Sequence, residues 1–167
     1  VEVFQDDRTD ILVSGGERSV PGYFGGTPPT VNLGRVRATG YELELRVNKQ
    51  FRNSLRLWGN FNMTHAENVI LKKDDPELLP NYQKQAGYAI GQYRSHIDAG
   101  FLNTWDEVYG SPAHETNDAQ RLPGDYYIVD FDGNGVVDSK DSAPYGYTST
   151  PENTYNATIG FEYKGFS

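Results

Sequence analysis

The stretch GYELELRVN, Gly40–Asn48, alternates without a break: Tyr41, Leu43, Leu45 and Val47 share one parity, and Glu42, Glu44, Arg46 and Asn48 share the other. A period of two is that of a strand with one apolar and one polar face. Two more stretches read the same way. In SLRLWGNFNMT, Leu55, Leu57, Phe61 and Met63 oppose Arg56, Trp58, Asn60, Asn62 and Thr64, with Gly59 on the apolar parity. In YNATIGFEY, Tyr155, Ala157, Ile159, Phe161 and Tyr163 oppose Asn156, Thr158, Gly160 and Glu162. Composition agrees with this reading: twelve Tyr, eight Phe and two Trp stand against one Met, with 18 Gly and nine Pro. Aromatics suit pleated surfaces, and Gly and Pro punctuate them, so the expected class is all-β.

Each alternating stretch spans about ten residues, the length that a tilted strand needs to cross a hydrocarbon layer. A half-exposed soluble sheet shows the same alternation. Connection lengths separate the two readings. The pentapeptide KQFRN (49–53) joins the first two strands tightly, whereas everything from Glu67 to Glu152 lies between the second and third. Short turns on one side and long loops on the other are typical of outer-membrane barrels. A connection that long is expected to be partly ordered. Within it, IGQY (90–93) and GDYYIVDF (124–131) are short runs able to pair as strands, and Ser111–Pro112 reads as an accessible tip.

The net charge is −8, from 15 basic and 23 acidic residues, with no basic cluster, which argues against nucleic acid as a partner. Cysteine is absent, which excludes disulfides, thiolate metal sites and a Cys nucleophile. His65, His96 and His114 lie far apart, and AHETN (113–117) lacks the second histidine of an H-E-x-x-H metal motif. Asp74 and Asp75, between Lys72, Lys73 and Pro76, read as a charged turn. No catalytic residues are expected, and the chain is not read as an enzyme.

One stretch does carry chemistry. In DFDGNGVVDSKD, Asp130, Asp132, Asn134, Asp138 and Asp141 fall at positions 1, 3, 5, 9 and 12 of a calcium-type loop. Gly135 stands at position 6, where the chain must turn sharply, and the backbone carbonyl of Val136 would supply position 7. Every donor is oxygen, which suits a hard cation, and variable coordination favours Ca²⁺ over Mg²⁺. Position 12 is Asp rather than Glu, and the flanks are strand-like, so the expectation is a structural ion in an isolated loop.

Five motifs in order, RTDILVS, VNLGRVRATGYELELRV, GYAIGQY, PGDYYIVDFDGNGVVDSKD and GFEYKGF, resemble the SusC/RagA-like TonB-dependent outer-membrane transporters of Bacteroidetes. The resemblance covers nearly the whole chain. It implies a segment from the later part of a 22-stranded antiparallel barrel in the bacterial outer membrane, with plug and TonB-contacting segment elsewhere, since about four strands cannot close a barrel. Residues 1–66 and 153–167 would then be barrel strands, with 67–152 an extracellular loop carrying the calcium-type loop at 130–141. Implied partners are a SusD-like surface lipoprotein, the TonB complex, outer-membrane lipid, and a glycan, oligosaccharide or peptide as cargo. The alternative is a secreted carbohydrate-binding β module, in which exposed Tyr82, Tyr88, Tyr93, Trp105 and Tyr109 would offer flat apolar surfaces.

Overall fold

The computed structural model describes all 167 residues except Gly22, Phe24, Asn53 and Ser167. Strands make up 51% of the chain against 10% helix, which settles the all-β class. In chain order the strands are β1 (Glu2–Val13), β2 (Val31–Gln50), β3 (Leu55–Lys72), β4 (Gln92–Ser95), β5 (Asp98–Phe101), β6 (Ala113–His114), β7 (Tyr126–Ile128), β8 (Val136–Val137), β9 (Ala143–Thr148) and β10 (Asn153–Tyr163). Among the described residues there is one α-helix, α1 (Trp105–Gly110), between β5 and β6, the other helical turns being short 3-10 segments.

The chain divides into two compact units. Unit one (1–74, 86–90 and 150–167) is a four-stranded antiparallel sheet in the order β1-β2-β3-β10. Its two outer strands are edges, so the four strands do not close on themselves. Its register joins the three alternating stretches into common faces. Leu43 pairs with Met63 and Met63 with Tyr155; Leu45 with Phe61 and Phe61 with Ala157; Lys49 with Leu57 and Leu57 with Phe161. Leu45, Leu57 and Ile159 therefore share one face, and Glu44, Arg56 and Glu162 the other. A slip of one residue would have mixed them.

Strands β2 and β3 run well beyond the alternating stretches, to 20 and 18 residues. Above Tyr41 the apolar face turns polar: Thr39 donates to Glu67 at 3.3 Å and Arg37 to Asp7 at 2.7 Å. Backbone pairing continues where the hydrophobic pattern stops, so β3 reaches Lys72 rather than ending before Glu67. Strand β1 carries little periodic signal and is drawn into the sheet by its ladder to β2, which is interrupted between Arg8 and Ile11, where Asp10 adopts a φ of 57°. At the β2–β3 turn the Phe51 N–H donates to the Leu55 carbonyl at 2.7 Å; Asn53 of the expected pentapeptide turn lies outside the described residues.

Neither face of this sheet is covered. No described residue of β3 or β10 is buried, and Val13 is the one buried hydrophobic residue of unit one among those described. On the apolar face Leu45 is 55% exposed and Ile159 89%. From Tyr41 to Phe51 the face extends ~33 Å along the strand at ~3.3 Å per residue, or ~25 Å in height at a tilt of ~40°. Aromatics stand towards both ends. Tyr41 stacks on His65 (5.2 Å between centroids), with Tyr155 one row below, and Phe51, Phe161 and Tyr163 lie at the other end.

Unit two (75–85 and 91–149) holds the remaining buried hydrophobic residues, Leu102, Val108, Val137 and Ala143. It is built from three two-stranded ladders: β4 with β9 and β5 with β7, both antiparallel, and β6 with β8, parallel. The two runs expected to form strands do so, but each finds another partner: IGQY contributes to β4, and GDYYIVDF contains β7. Ser111–Pro112 is not a free tip. Arg121 donates to the Ser111 hydroxyl at 2.6 Å and to the Pro112 carbonyl at 3.0 Å.

Candidate metal centre

The loop from Asp130 to Asp141 lies in unit two, entered from β7 and left towards β9. Its polar side chains fold back on their own backbone, as Asp and Asn do in turns. The Asp130 carboxylate accepts from the Gly133 N–H at 2.8 Å and the Gly135 N–H at 2.7 Å. Asp132 accepts from the Asn134 N–H at 3.0 Å, and Asn134 in turn from the Val136 N–H at 2.7 Å. Gly133 and Gly135 adopt φ of 71° and 87°, which a side chain would oppose.

Asp141 is the anchor, with 0% of its surface exposed. One carboxylate oxygen accepts from the Phe131 and Asp132 N–H groups at 2.7 and 3.3 Å, and the other from the Asp138 N–H at 2.8 Å. Burial pushes this carboxyl up, but the N–H bonds from Asp138, Phe131 and Asp132 outweigh it, so the group sits below its ordinary value. It is therefore a carboxylate. Of its roughly four lone-pair sites three are taken, which leaves one for a cation. As a metal ligand Asp141 would be monodentate, unlike the bidentate Glu of an EF-hand.

Asp130, Asp132 and Asp141 each offer one oxygen, and the three oxygens lie within 4.8 Å of one another. Asp138 does a different job. It caps the 3-10 turn Ser139–Asp141, accepting from the Lys140 N–H at 2.6 Å, and pairs with the Lys140 ammonium at 3.5 Å. The position-9 group of such loops commonly acts through water, so this placement does not by itself remove the site. Val136 opens β8. The Gly135 and Val137 carbonyls accept from Ala113 and Glu115 at 3.1 and 3.0 Å, so strand alternation turns the Val136 N–H and carbonyl away from β6. The Val136 N–H indeed meets Asn134 on the loop side, and its carbonyl faces the same way.

Three supports of this loop have no signal in its own spacing. The Tyr82 hydroxyl and the Gln83 side-chain amide both donate to the Lys140 carbonyl, at 3.0 and 2.7 Å. The Tyr82 ring packs on Phe131 with centroids 5.4 Å apart. His96 Nε2 lies 2.7 Å from the Asp138 carbonyl; a carbonyl only accepts, so Nε2 carries the proton. Of the aromatics expected at the surface, Tyr82 is thus a packing residue, whereas Tyr93, Trp105 and Tyr109 are exposed by 62%, 51% and 79%. Oxygen donors and three converging carboxylates suit a hard divalent cation. No family model matches the chain, and no curated protein matches it either.

Proposed function

We propose that this chain is part of a TonB-dependent outer-membrane transporter of the SusC/RagA type. Its four long strands are wall strands of a large transmembrane β-barrel, and unit two is an outward-facing elaboration between β3 and β10. The cargo is a nutrient, a glycan, oligosaccharide or peptide, and the partner a SusD-like lipoprotein. One observation carries the reading: an apolar face that runs over β2, β3 and β10, broken on β2 by Lys49 near the Phe51 end, uncovered by any core, with aromatics at both ends and a polar face behind it. At ~4.8 Å between strands and ~33 Å of length the three-strand patch covers ~470 Å². A patch of that size is comparable to the largest one on a soluble monomer, which is often functional. Lipid covers such a face, while Arg56, held to Glu162 at 3.3 Å and to Asn48 at 3.1 Å, suits a wet interior.

Single cysteines at Arg56 and Leu57, labelled with a fluorophore and exposed to a lipid-soluble quencher, test this. Quenching at 57 but not at 56 is expected. Equal quenching, or the reverse, overturns the membrane reading.

A structural Ca²⁺ held by Asp130, Asp132, Asn134, Val136 and Asp141, with Asp138 as a supporting cap, belongs to the same proposal. The ion would offset the mutual repulsion of the carboxylates and fix the base of unit two, without chemistry of its own. Calorimetry with Ca²⁺ on the intact protein should show binding that Asp130→Ala with Asp132→Ala abolishes. Asp138→Ala should weaken binding by about ten- to a hundredfold, as for groups that orient ligands without holding the ion. Equal uptake by wild type and the double variant removes the site.

A further inference from the structure

We propose that the outer face of α1 docks a short basic peptide through an arginine or lysine side chain. The inference builds on the reading of unit two as the outward part of a nutrient importer and narrows its ligand. Net charge is distributed unevenly. Unit one carries eleven acidic and eleven basic side chains, whereas unit two carries twelve acidic and four basic, so the whole −8 of the chain resides there. Three of those four cations are engaged internally, Lys140 with Asp138 at 3.5 Å. Arg94 donates to the Tyr82 and Lys84 carbonyls, and Arg121, 11% exposed, pairs with Asp118 at 2.8 Å. A divalent ion in the Asp130–Asp141 loop would still leave −6.

On this acidic unit α1 presents an apolar platform. Its inner side is fixed: Val108 is 3% exposed, and the Thr104 hydroxyl caps the Glu107 N–H at 3.2 Å. Its outer side carries Trp105 and Tyr109, one turn apart, stacked with centroids 5.9 Å apart and planes at 25°, with exposed Asp106 beside them. An indole face is the preferred aromatic partner of a guanidinium or ammonium. Asp106 adds a counter-charge on the same helix, and the charge of the unit concentrates cations around it. A neutral sugar would gain from the rings and nothing from the charge, and an acidic ligand would be repelled. The combination of platform and field therefore favours a basic peptide.

The test is calorimetric titration of the intact protein, at fixed Ca²⁺, with tetra-arginine amide, tetra-glutamate and maltotetraose. Tetra-arginine should bind, tetra-glutamate should not, and Trp105→Ala should weaken tetra-arginine binding by about five- to tenfold. Trp105→Phe, which keeps a ring, should fall between them, and Tyr147→Ala, at a residue 82% exposed in the same unit, should change nothing. Two results overturn the proposal: tetra-arginine binding indifferent to Trp105, which is diffuse attraction to an acidic surface, or maltotetraose bound through Trp105 in place of tetra-arginine. Binding in solution requires no membrane insertion, so its failure and that of the lipid-facing assignment are read separately.

Discussion

At the residue scale, Asp74 shows what charge placement does outside the strands. Read with Asp75 as part of a charged turn, it is the clip that holds the β1–β2 connection. Arg18 Nε donates to its carboxylate at 2.6 Å and the Ser19 N–H at 3.1 Å, while Lys73 meets Glu17 at 3.3 Å alongside. The bond from Arg18, then that from Ser19, holds the Asp74 carboxyl below its ordinary value of 3.8. A depressed folded pKa stabilises the clip above the unfolded value and loses that contribution as pH falls through the folded one. Hydrogen exchange at the Ser19 amide should therefore be slow and flat from pH 7 to about pH 5, once corrected for intrinsic rates, and lose protection below about pH 4. Asp74→Asn should remove most of this pH dependence, the remainder belonging to Glu17, whose carboxyl is also lowered, by Ser14 and Lys73. An unchanged acid transition in Asp74→Asn would show that the clip lies elsewhere. Such a contact, spanning 56 residues of sequence, leaves no local pattern to read.

At the element scale, parity was enough to place three strands, because a strand with one apolar face advertises itself every second residue. It did not reveal how far they run. The ladder above Tyr41 is held by backbone hydrogen bonds and mixed polar pairs, which have no period, and β1 is polar on both faces over much of its length. The register adds a detail that parity could not. Trp58 stands opposite Gly160, and its indole lies over the glycine so closely that a Cβ there would overlap the ring. A glycine in a strand loses packing, and a neighbouring aromatic restores it. Gly160→Ala should displace the indole and cost about 1–3 kcal/mol, the range for overpacking. In a Trp105→Phe background, where Trp58 is the single tryptophan, its emission should shift to the red. An unshifted spectrum would mean that the ring does not depend on the glycine. The metal-type loop was legible for a similar reason: Asp, Asn and Gly at fixed offsets are a local code. The support from Tyr82, Gln83 and His96 was not, being 42 to 58 residues away in sequence from the groups it holds.

At the scale of the whole molecule, the sequence assigns opposite tasks to its two units. Unit one has a balanced charge and almost no core of its own, while unit two has a small core and all the net charge. On the proposed reading the bare apolar face is the one turned to lipid, and the acidic unit with its exposed aromatics is the part turned to water. The chain enters unit two from the end of β3 and returns from it into β10, so both crossings occur at the ends of these strands remote from the Phe51–Ser54 turn. If the strands span the outer membrane, unit two is extracellular and that turn is periplasmic. The expected tip at Ser111–Pro112 is a poor reporter, because Arg121 ties it down. Leu78, 98% exposed within Asp75–Gln85, is the better position. An epitope inserted after Leu78 should be reached by antibody on intact cells, and the same epitope after Phe51 only once the outer membrane is permeabilised. Access to the second without permeabilisation, or to the first only with it, would reverse or abolish the topology. Neither insertion point lies on α1 or within the Asp130–Asp141 loop, so this outcome bears on the proposed wall strands and their orientation.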